Sequence, residues 1–341
     1  MTVPQSDESS ARQAALALLR AEERFLLVGH VRPDGDCVGA QAALARVLSA
    51  LGKRVFVVNP DAPAPSLRPL LDGLDATAFA GEVLPDHDVC VLLDINDLSR
   101  CGPMARALRS HPSRKLVVDH HVPGGEPWWD AAYLDVTASA TGLLVARIAR
   151  ELDVALDARA AEAVFTALVT DTGWFKYSNT DAETMELAAE LVRAGVRPDR
   201  LYGRLYQERE ATLPGAIAGV LSGLEYECDG RLAVIEHPSE SRGGAPLDDA
   251  DPVLDIVRSV SSVEVVLYVR ELEDGRCKLS ARSKSDFDVN RLAVKFGGGG
   301  HKKAAGATIE GSLSEVRARL VDAASRTLAK TAAAWQERSA G

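Results

Sequence analysis

Short, uninterrupted apolar runs recur between residues about 25 and 119, and helix-spaced segments separate them. FLLVGH (25–30), RVFVV (54–58), DVCVLLD (88–94) and RKLVVD (114–119) are each too short for a helix of ordinary length. They are apolar at both odd and even positions, so both faces of each strand must be covered. Residues 38–51 between the first two runs have helical spacing and stop at Gly52. Strands buried on both faces and separated by helices specify a doubly wound parallel sheet. Further helices are expected over 138–152, 158–170 and 181–194, the last with a capping box of Thr180 and Glu183 and a Gly195 stop before Pro198.

The pattern changes after about residue 210. A helix with Pro214 near its start is expected around 211–222. Strands then follow at 223–228, 231–237, 262–270 and 277–283. A helix near 288–295, a glycine run, a strand at 307–310 and a closing helix at 313–334 complete the chain. The reading is an α/β protein with an N-terminal doubly wound parallel sheet and a smaller C-terminal α/β domain with a mixed sheet. The expected divisions are a disordered tail at 1–14, a first domain at 15–204, a linker helix at 205–222 and a second domain at 223–335.

With 341 residues there is room for two ordinary domains, and 46% hydrophobic with 26% charged residues is a globular composition. No apolar run reaches the roughly 18 residues of a membrane span, and the first residues do not form a secretory signal. Five widely spaced cysteines form no CxxC pair, which fits a reducing cytoplasm and argues against a thiolate zinc site. The net charge of −10 disfavours an extended grip on long nucleic acid. Residues 276–303 depart from that balance at +6, leaving −16 for the rest. A short cationic patch in an acidic chain points to a small anionic ligand held locally.

Three of the expected strands run into metal-capable side chains. The first leads to His30, Asp34 and Asp36, the third to Asp94, and the fourth to Asp119, His120 and His121. Asp171 closes a helix within TALVTDTGWF. Ligands of open parallel sheets bind outside the carboxyl ends of the strands, so these groups should converge. So many carboxylates and imidazoles would repel one another unless cations sat among them. Without cysteine, the oxygen and imidazole donors suit Mn²⁺, Mg²⁺, Fe²⁺ or Co²⁺. They are numerous enough for two ions, an arrangement that clamps the attacking and leaving oxygens of phosphoryl transfer. Gly35 is expected to make a sharp turn that sends Asp34 and Asp36 to different ions. A single strand-end Asp is ordinarily a helix N-cap, and Asp36 or Asp94 alone would be read so. A second constellation lies at 280–306, where Arg282, the glycines 297–300 and His301 sit in the basic stretch. Four glycines before an expected helix would offer backbone N–H groups to an anion.

Five ordered motifs, HVRPDGDCVGA (30–40), VLLDIND (91–97), VVDHH (117–121), TALVTDTGWFKYSNT (166–180) and SARSKSDFDVNRLAVKFGGGGHKKAAG (280–306), resemble the DHH phosphoesterase superfamily. The likeness covers roughly residues 15–330 and is greatest to the nanoRNase branch, the bifunctional oligoribonucleases and 3′-phosphoadenosine-5′-phosphate phosphatases. It implies one metal site from His30, Asp34 and Asp94 and a second from Asp36, Asp94, His120 and Asp171, with Asp94 shared. His121 would face the substrate phosphate and Asp119 would orient a ligand imidazole. Arg282, Gly298, Gly299, Gly300 and His301 would hold the substrate from the second domain, with the active site in the cleft between domains. The implied cofactors are two divalent cations, Mn²⁺ first, then Mg²⁺ or Co²⁺. The implied substrates are short RNA or DNA oligonucleotides and 3′-phosphoadenosine-5′-phosphate, with no membrane partner and a homodimer left open. A cyclic- or linear-dinucleotide phosphodiesterase and a non-catalytic nucleotide-binding regulator are the alternatives. The chain departs from the family pattern at Trp174-Phe175-Lys176 and at Ala40.

Overall fold

A computed structural model describes residues 5–81, 83–239, 250–284 and 286–339. The chain divides into two compact units between Glu208 and Arg209. In the first unit α1 (Gln5–Ala21) precedes β1 (Arg24–Val28), α2 (Gly35–Ala50), β2 (Arg54–Asn59), β3 (Asp75–Ala78) and β4 (Val89–Leu93). Then come α3 (Ala105–Ser110), β5 (Arg114–Asp119), β6 (Ala131–Leu134), α4 (Thr141–Glu151), α5 (Ala158–Asp171), α6 (Ala182–Arg193) and α7 (Pro198–Tyr206). The six strands lie in the order β3-β2-β1-β4-β5-β6, and every neighbouring pair is parallel.

The continuous apolar runs have the cause inferred for them. Phe25, Leu27, Val91, Leu93, Leu116 and Val118 join a core with the helices on one face. Leu26, Val28, Cys90, Leu92 and Val117 join a second core on the other face with Leu98, Cys101, Met104 and Leu108. Burial on both faces removes the polar alternation of a one-sided strand.

Helix α2 is buried along most of its length and packs closely on α5. A Cβ on Gly39 would lie 2.4 Å from the Ala163 carbonyl oxygen, so only glycine allows that approach. Gly35 has the same role one turn earlier, where a Cβ would meet Thr170 at 2.3 Å. It is the first residue of α2 and does not adopt a left-handed turn, which corrects the expected sharp bend. The N-terminus of α2 is thereby held against the C-terminal end of α5.

The second unit contains α8 (Leu213–Leu221), β7 (Leu224–Glu227), β8 (Leu232–His237), α9 (Asp251–Arg258), β9 (Val265–Glu271) and β10 (Cys277–Ser283). It continues with α10 (Val289–Val294), β11 (Gly299–His301), β12 (Ala304–Ile309) and α11 (Leu313–Ser339). The sheet order is β11-β12-β10-β9-β8-β7, mixed because β8 and β9 are parallel and the other pairs antiparallel. Leu279, Ala281, Val316 and Leu320 belong to the core on one face, and Ile235, Val253, Leu254 and Tyr268 to the core on the other.

Several details differ from the sequence reading. Residues 5–14, expected within a tail, lie in α1, where Arg12 pairs with Asp135. The segment expected as a linker helix is α8, whose Val220 is buried in the core with Ile235 and Val253. The N-cap of α6 is Asp181, which accepts from the Thr184 N–H, while Glu183 pairs with Arg147 instead of closing a capping box. The glycine run follows α10 and enters the hairpin of β11 and β12 rather than preceding a helix. No helix among the described residues is long and apolar enough to cross a membrane.

Candidate metal centre

The strand order reverses between β1 and β4, so the crevice at their carboxyl ends is the topological switch point of the sheet. His30 lies two residues beyond β1, Asp94 directly follows β4, and Asp119 ends β5. Helix ends supply the rest. Asp34 is the N-cap of α2, its Oδ1 accepting the N–H groups of Asp36 and Cys37. Asp36 is in the first turn of α2, and Asp171 is the last residue of α5.

These groups meet. Three trios, His30/Asp34/Asp94, Asp36/His120/Asp171 and Asp94/His120/His121, each place one donor atom per residue within 4.8 Å of the others. Asp94 faces both sides, with Oδ2 3.2 Å from His30 Nε2 and Oδ1 3.6 Å from His120 Nε2. Its backbone is left-handed, with φ of 63°, an uncommon conformation for a residue with a side chain.

The orientation of both buried imidazoles is fixed. Nδ1–H of His30 donates to the Val31 carbonyl at 2.9 Å, and that of His120 to the Ala138 carbonyl at 3.1 Å. In a neutral ring each Nε2 then carries a lone pair among carboxylate oxygens. Nε2 of His30 makes no hydrogen bond of good geometry despite its 3.2 Å approach to Asp94. A lone pair beside a carboxylate requires a positive charge between them, either a proton or a metal ion.

The electrostatics express the same demand. Burial disfavours the His30 imidazolium, but Asp34 and Asp94 outweigh it and push its pKa up to about 10. His120 is likewise raised against the cost of burial, by Asp94, Asp36 and Asp171. Burial and the Asp94 charge hold Asp36 well above the usual carboxylate range. Burial, offset in part by His120 and reinforced by Asp94 and Asp34, raises Asp171 to about 7. For Asp94 burial is overcome by the positive charge of the adjoining His120 and His30 imidazoles, which holds it well below that range. Divalent cations would take over the role of these protons, with metal binding releasing them. The neighbouring Cys37 is kept as a thiol by burial and by the charges of Asp94 and Asp34, so the donors are nitrogen and oxygen.

Residues that sequence reasoning missed complete the site. The Thr141 and Gly142 N–H groups at the start of α4 donate to the two oxygens of Asp36 at 2.7 and 2.9 Å. The Thr141 hydroxyl donates to Asp94 Oδ1 at 3.2 Å. Asn96 donates to Asp119 Oδ2 at 2.6 Å and to the His121 carbonyl at 3.2 Å. Asp119 itself accepts from Nδ1 of His121 at 2.8 Å, so the imidazole it orients is that of His121. Sequence spacing gives no sign of the Asp36 contacts, which span 105 and 106 residues.

The second constellation lies in the other unit. Arg282 on β10 and His301 on β11 both pair with Ala304 of β12, so the two flank one small residue in a single cross-strand row. Directly opposed residues share a face of the sheet. Arg282 donates to Asp251 at 2.6 Å, and His301, Gly299 and Gly300 are exposed.

A family model described as the DHH family, N-terminal domain, matches residues 24–168, and one described as the DHHA1 domain matches 234–330. A Thermus thermophilus protein named bifunctional oligoribonuclease and PAP phosphatase NrnA is 32% identical over 323 residues, 94% of each chain. This chain belongs to the DHH family. It is a DHH-family phosphoesterase, a hydrolase carrying a candidate His/Asp metal cluster. The Bacillus subtilis protein of the same name is 26% identical over 295 residues, 84% of this chain and 90% of that one. Among solved structures, an exopolyphosphatase-related protein from Bacteroides fragilis has a TM-score of 0.83 at 27% identity, covering 92% of this chain and 96% of its own. RecJ from Thermus thermophilus, in complex with Mn²⁺, has a TM-score of 0.53 at 17% identity, covering 96% of this chain and 56% of its own, a likeness of fold.

Proposed function

We propose that this DHH-family phosphoesterase hydrolyses oligonucleotides of about two to five nucleotides to nucleoside 5′-monophosphates. It also removes the 3′-phosphate of 3′-phosphoadenosine-5′-phosphate. The observation that carries the reading is Asp94, which offers one oxygen to each of two His/Asp groups at the switch point. The full-length likeness to proteins named oligoribonuclease and PAP phosphatase supports the choice of substrate.

In this reading His30, Asp34 and Asp94 hold one divalent cation, and Asp36, Asp94, His120 and Asp171 hold the other. Mn²⁺ suits the mixed imidazole and carboxylate donors best, with Mg²⁺ or Co²⁺ as alternatives. When bound, the cations supply Lewis-acid stabilisation of phosphoryl charge and ease deprotonation of water. The protein's part is to hold its ligands in place. Two backbone N–H groups of α4 fix Asp36, and the Nδ1–H bonds to carbonyls fix His30 and His120. Asp119 accepts a hydrogen bond from Nδ1–H of His121, which leaves Nε2 to serve the phosphate or the leaving oxygen. Arg282, His301 and the Gly299–Gly300 backbone hold a substrate phosphate, with Arg282 exchanging its Asp251 partner for that anion, whereas the expected Gly298 N–H is already donated to the Ala293 carbonyl at 3.0 Å.

The test is product analysis with Mn²⁺ and Mg²⁺ on a dinucleotide, 3′-phosphoadenosine-5′-phosphate, a cyclic dinucleotide and pyrophosphate. Metal-dependent release of 5′-monophosphates from the first and of phosphate from the second is expected. Turnover confined to the cyclic dinucleotide or to pyrophosphate would overturn the reading.

A further inference from the structure

Trp128 lies in the segment between β5 and β6 and is 36% exposed. Its indole N–H donates to the Asn96 carbonyl at 2.9 Å. The side chain of the same Asn96 holds Asp119 and the backbone of His121. Two successive hydrogen-bonded links therefore fix the indole beside the groups that surround Asp94. Trp129 meets it edge to face, with centroids 5.7 Å apart and planes at 76°, and itself packs against the core of Leu92 and Met104. The polar atom of Trp128 is satisfied and its ring is buttressed, yet a third of its surface remains in water.

A rigid, flat aromatic surface at the edge of a phosphoester site matches one class of ligand group. Every nucleobase has a π-face, and stacking on an aromatic side chain tolerates any base sequence. We propose that Trp128 stacks on the base of the nucleotide whose phosphate lies at the His/Asp cluster. The proposal rests on the nucleotide reading above and adds a specificity-determining residue to it. It makes affinity depend on the presence of a base and only weakly on its identity.

The experiment measures the dissociation constants of AMP and of ribose 5-phosphate by calorimetry, with Mn²⁺ present. Wild type, Trp128→Phe and Trp128→Ala are compared, with circular dichroism and thermal melts confirming the fold. Wild type should bind AMP roughly 5- to 150-fold more tightly than ribose 5-phosphate. Trp128→Phe, which keeps a ring but lacks the donor to Asn96, should retain most of that ratio. Trp128→Ala should bring the ratio close to one while leaving ribose 5-phosphate binding unchanged. A wild-type ratio near one, or an unaltered ratio in Trp128→Ala, overturns the proposal. Equal weakening of both ligands also overturns it, because that pattern belongs to a support for His121. If the ratios behave as expected while oligonucleotides are not cleaved, the proposed activity fails and the base platform stands.

Discussion

Asp94 combines two demands that different substitutions separate. Its two oxygens approach His30 and His120 on opposite sides, and its backbone sits at φ of 63°. Asp94→Asn removes the charge but keeps a residue type that tolerates left-handed backbone, and it keeps an oxygen for the Thr141 hydroxyl. Asp94→Ala removes the charge and adds a conformational penalty of about 1–2 kcal/mol. For a unit of this size each kcal/mol moves Tm by about 2–4 °C. Asp94→Ala should therefore melt roughly 2–8 °C below Asp94→Asn, while both lose activity by about three orders of magnitude or more, beyond the 10- to 100-fold typical of a group that only supports a metal ligand. Thermal melts, metal content after dialysis and turnover of a dinucleotide measure the three quantities. Equal melting of the two variants would refute the strain argument. An Asp94→Asn protein with two bound ions and near wild-type turnover would refute the shared-ligand argument.

Packing, pH and substrate contacts give further tests. Gly39→Ala forces a methyl onto the Ala163 carbonyl and should cost about 1–3 kcal/mol in urea unfolding, with reduced metal affinity because α2 carries Asp34 and Asp36; unchanged stability would contradict the close packing. Burial works against Asp135, but bonds from Thr137 and Arg147 prevail and lower its pKa to about 2. A depressed carboxylate stabilises the fold above its unfolded pKa near 3.8 and loses that contribution as pH falls toward 2. Wild type should thus lose about 2 kcal/mol over that window relative to Asp135→Asn, and parallel acid-unfolding curves would contradict it. Arg282→Ala or His301→Ala should weaken substrate binding roughly 10- to 150-fold without changing metal content, and metal loss in either would contradict the division of labour.

The sheet was legible where burial on both faces writes itself as an apolar run, as in β1, β4 and β5. The edge strands were not: β3 reads Asp-Ala-Thr-Ala, with three of its four residues exposed, and β6 has only four residues. At the site, the strand-end positions of His30, Asp94 and Asp119 follow from the rule for parallel sheets, and the structure brings them together with Asp36, His120, His121 and Asp171. Thr141, Gly142 and Asn96 escaped notice because their roles depend on the close approach of elements far apart in sequence. Gly35 and the glycine run are visible in the sequence, but they serve neither a sharp turn nor a helix N-terminus. The first serves helix packing, and the second enters a hairpin after α10. Glycine marks a backbone constraint without saying which one.

Substrate length tests the proposed activity most directly. The cationic character is confined largely to residues 276–303, at +6 against −16 elsewhere, so each added phosphate meets an acidic protein. The measurement is kcat/KM with Mn²⁺ over strands of two to about twenty nucleotides at two salt concentrations, where each neutralised phosphate contributes a slope of roughly −0.7. A maximum between about two and five nucleotides with a shallow salt dependence is expected. A kcat/KM that keeps rising to about twenty nucleotides with a steep salt dependence would contradict it and point to an exonuclease of long strands.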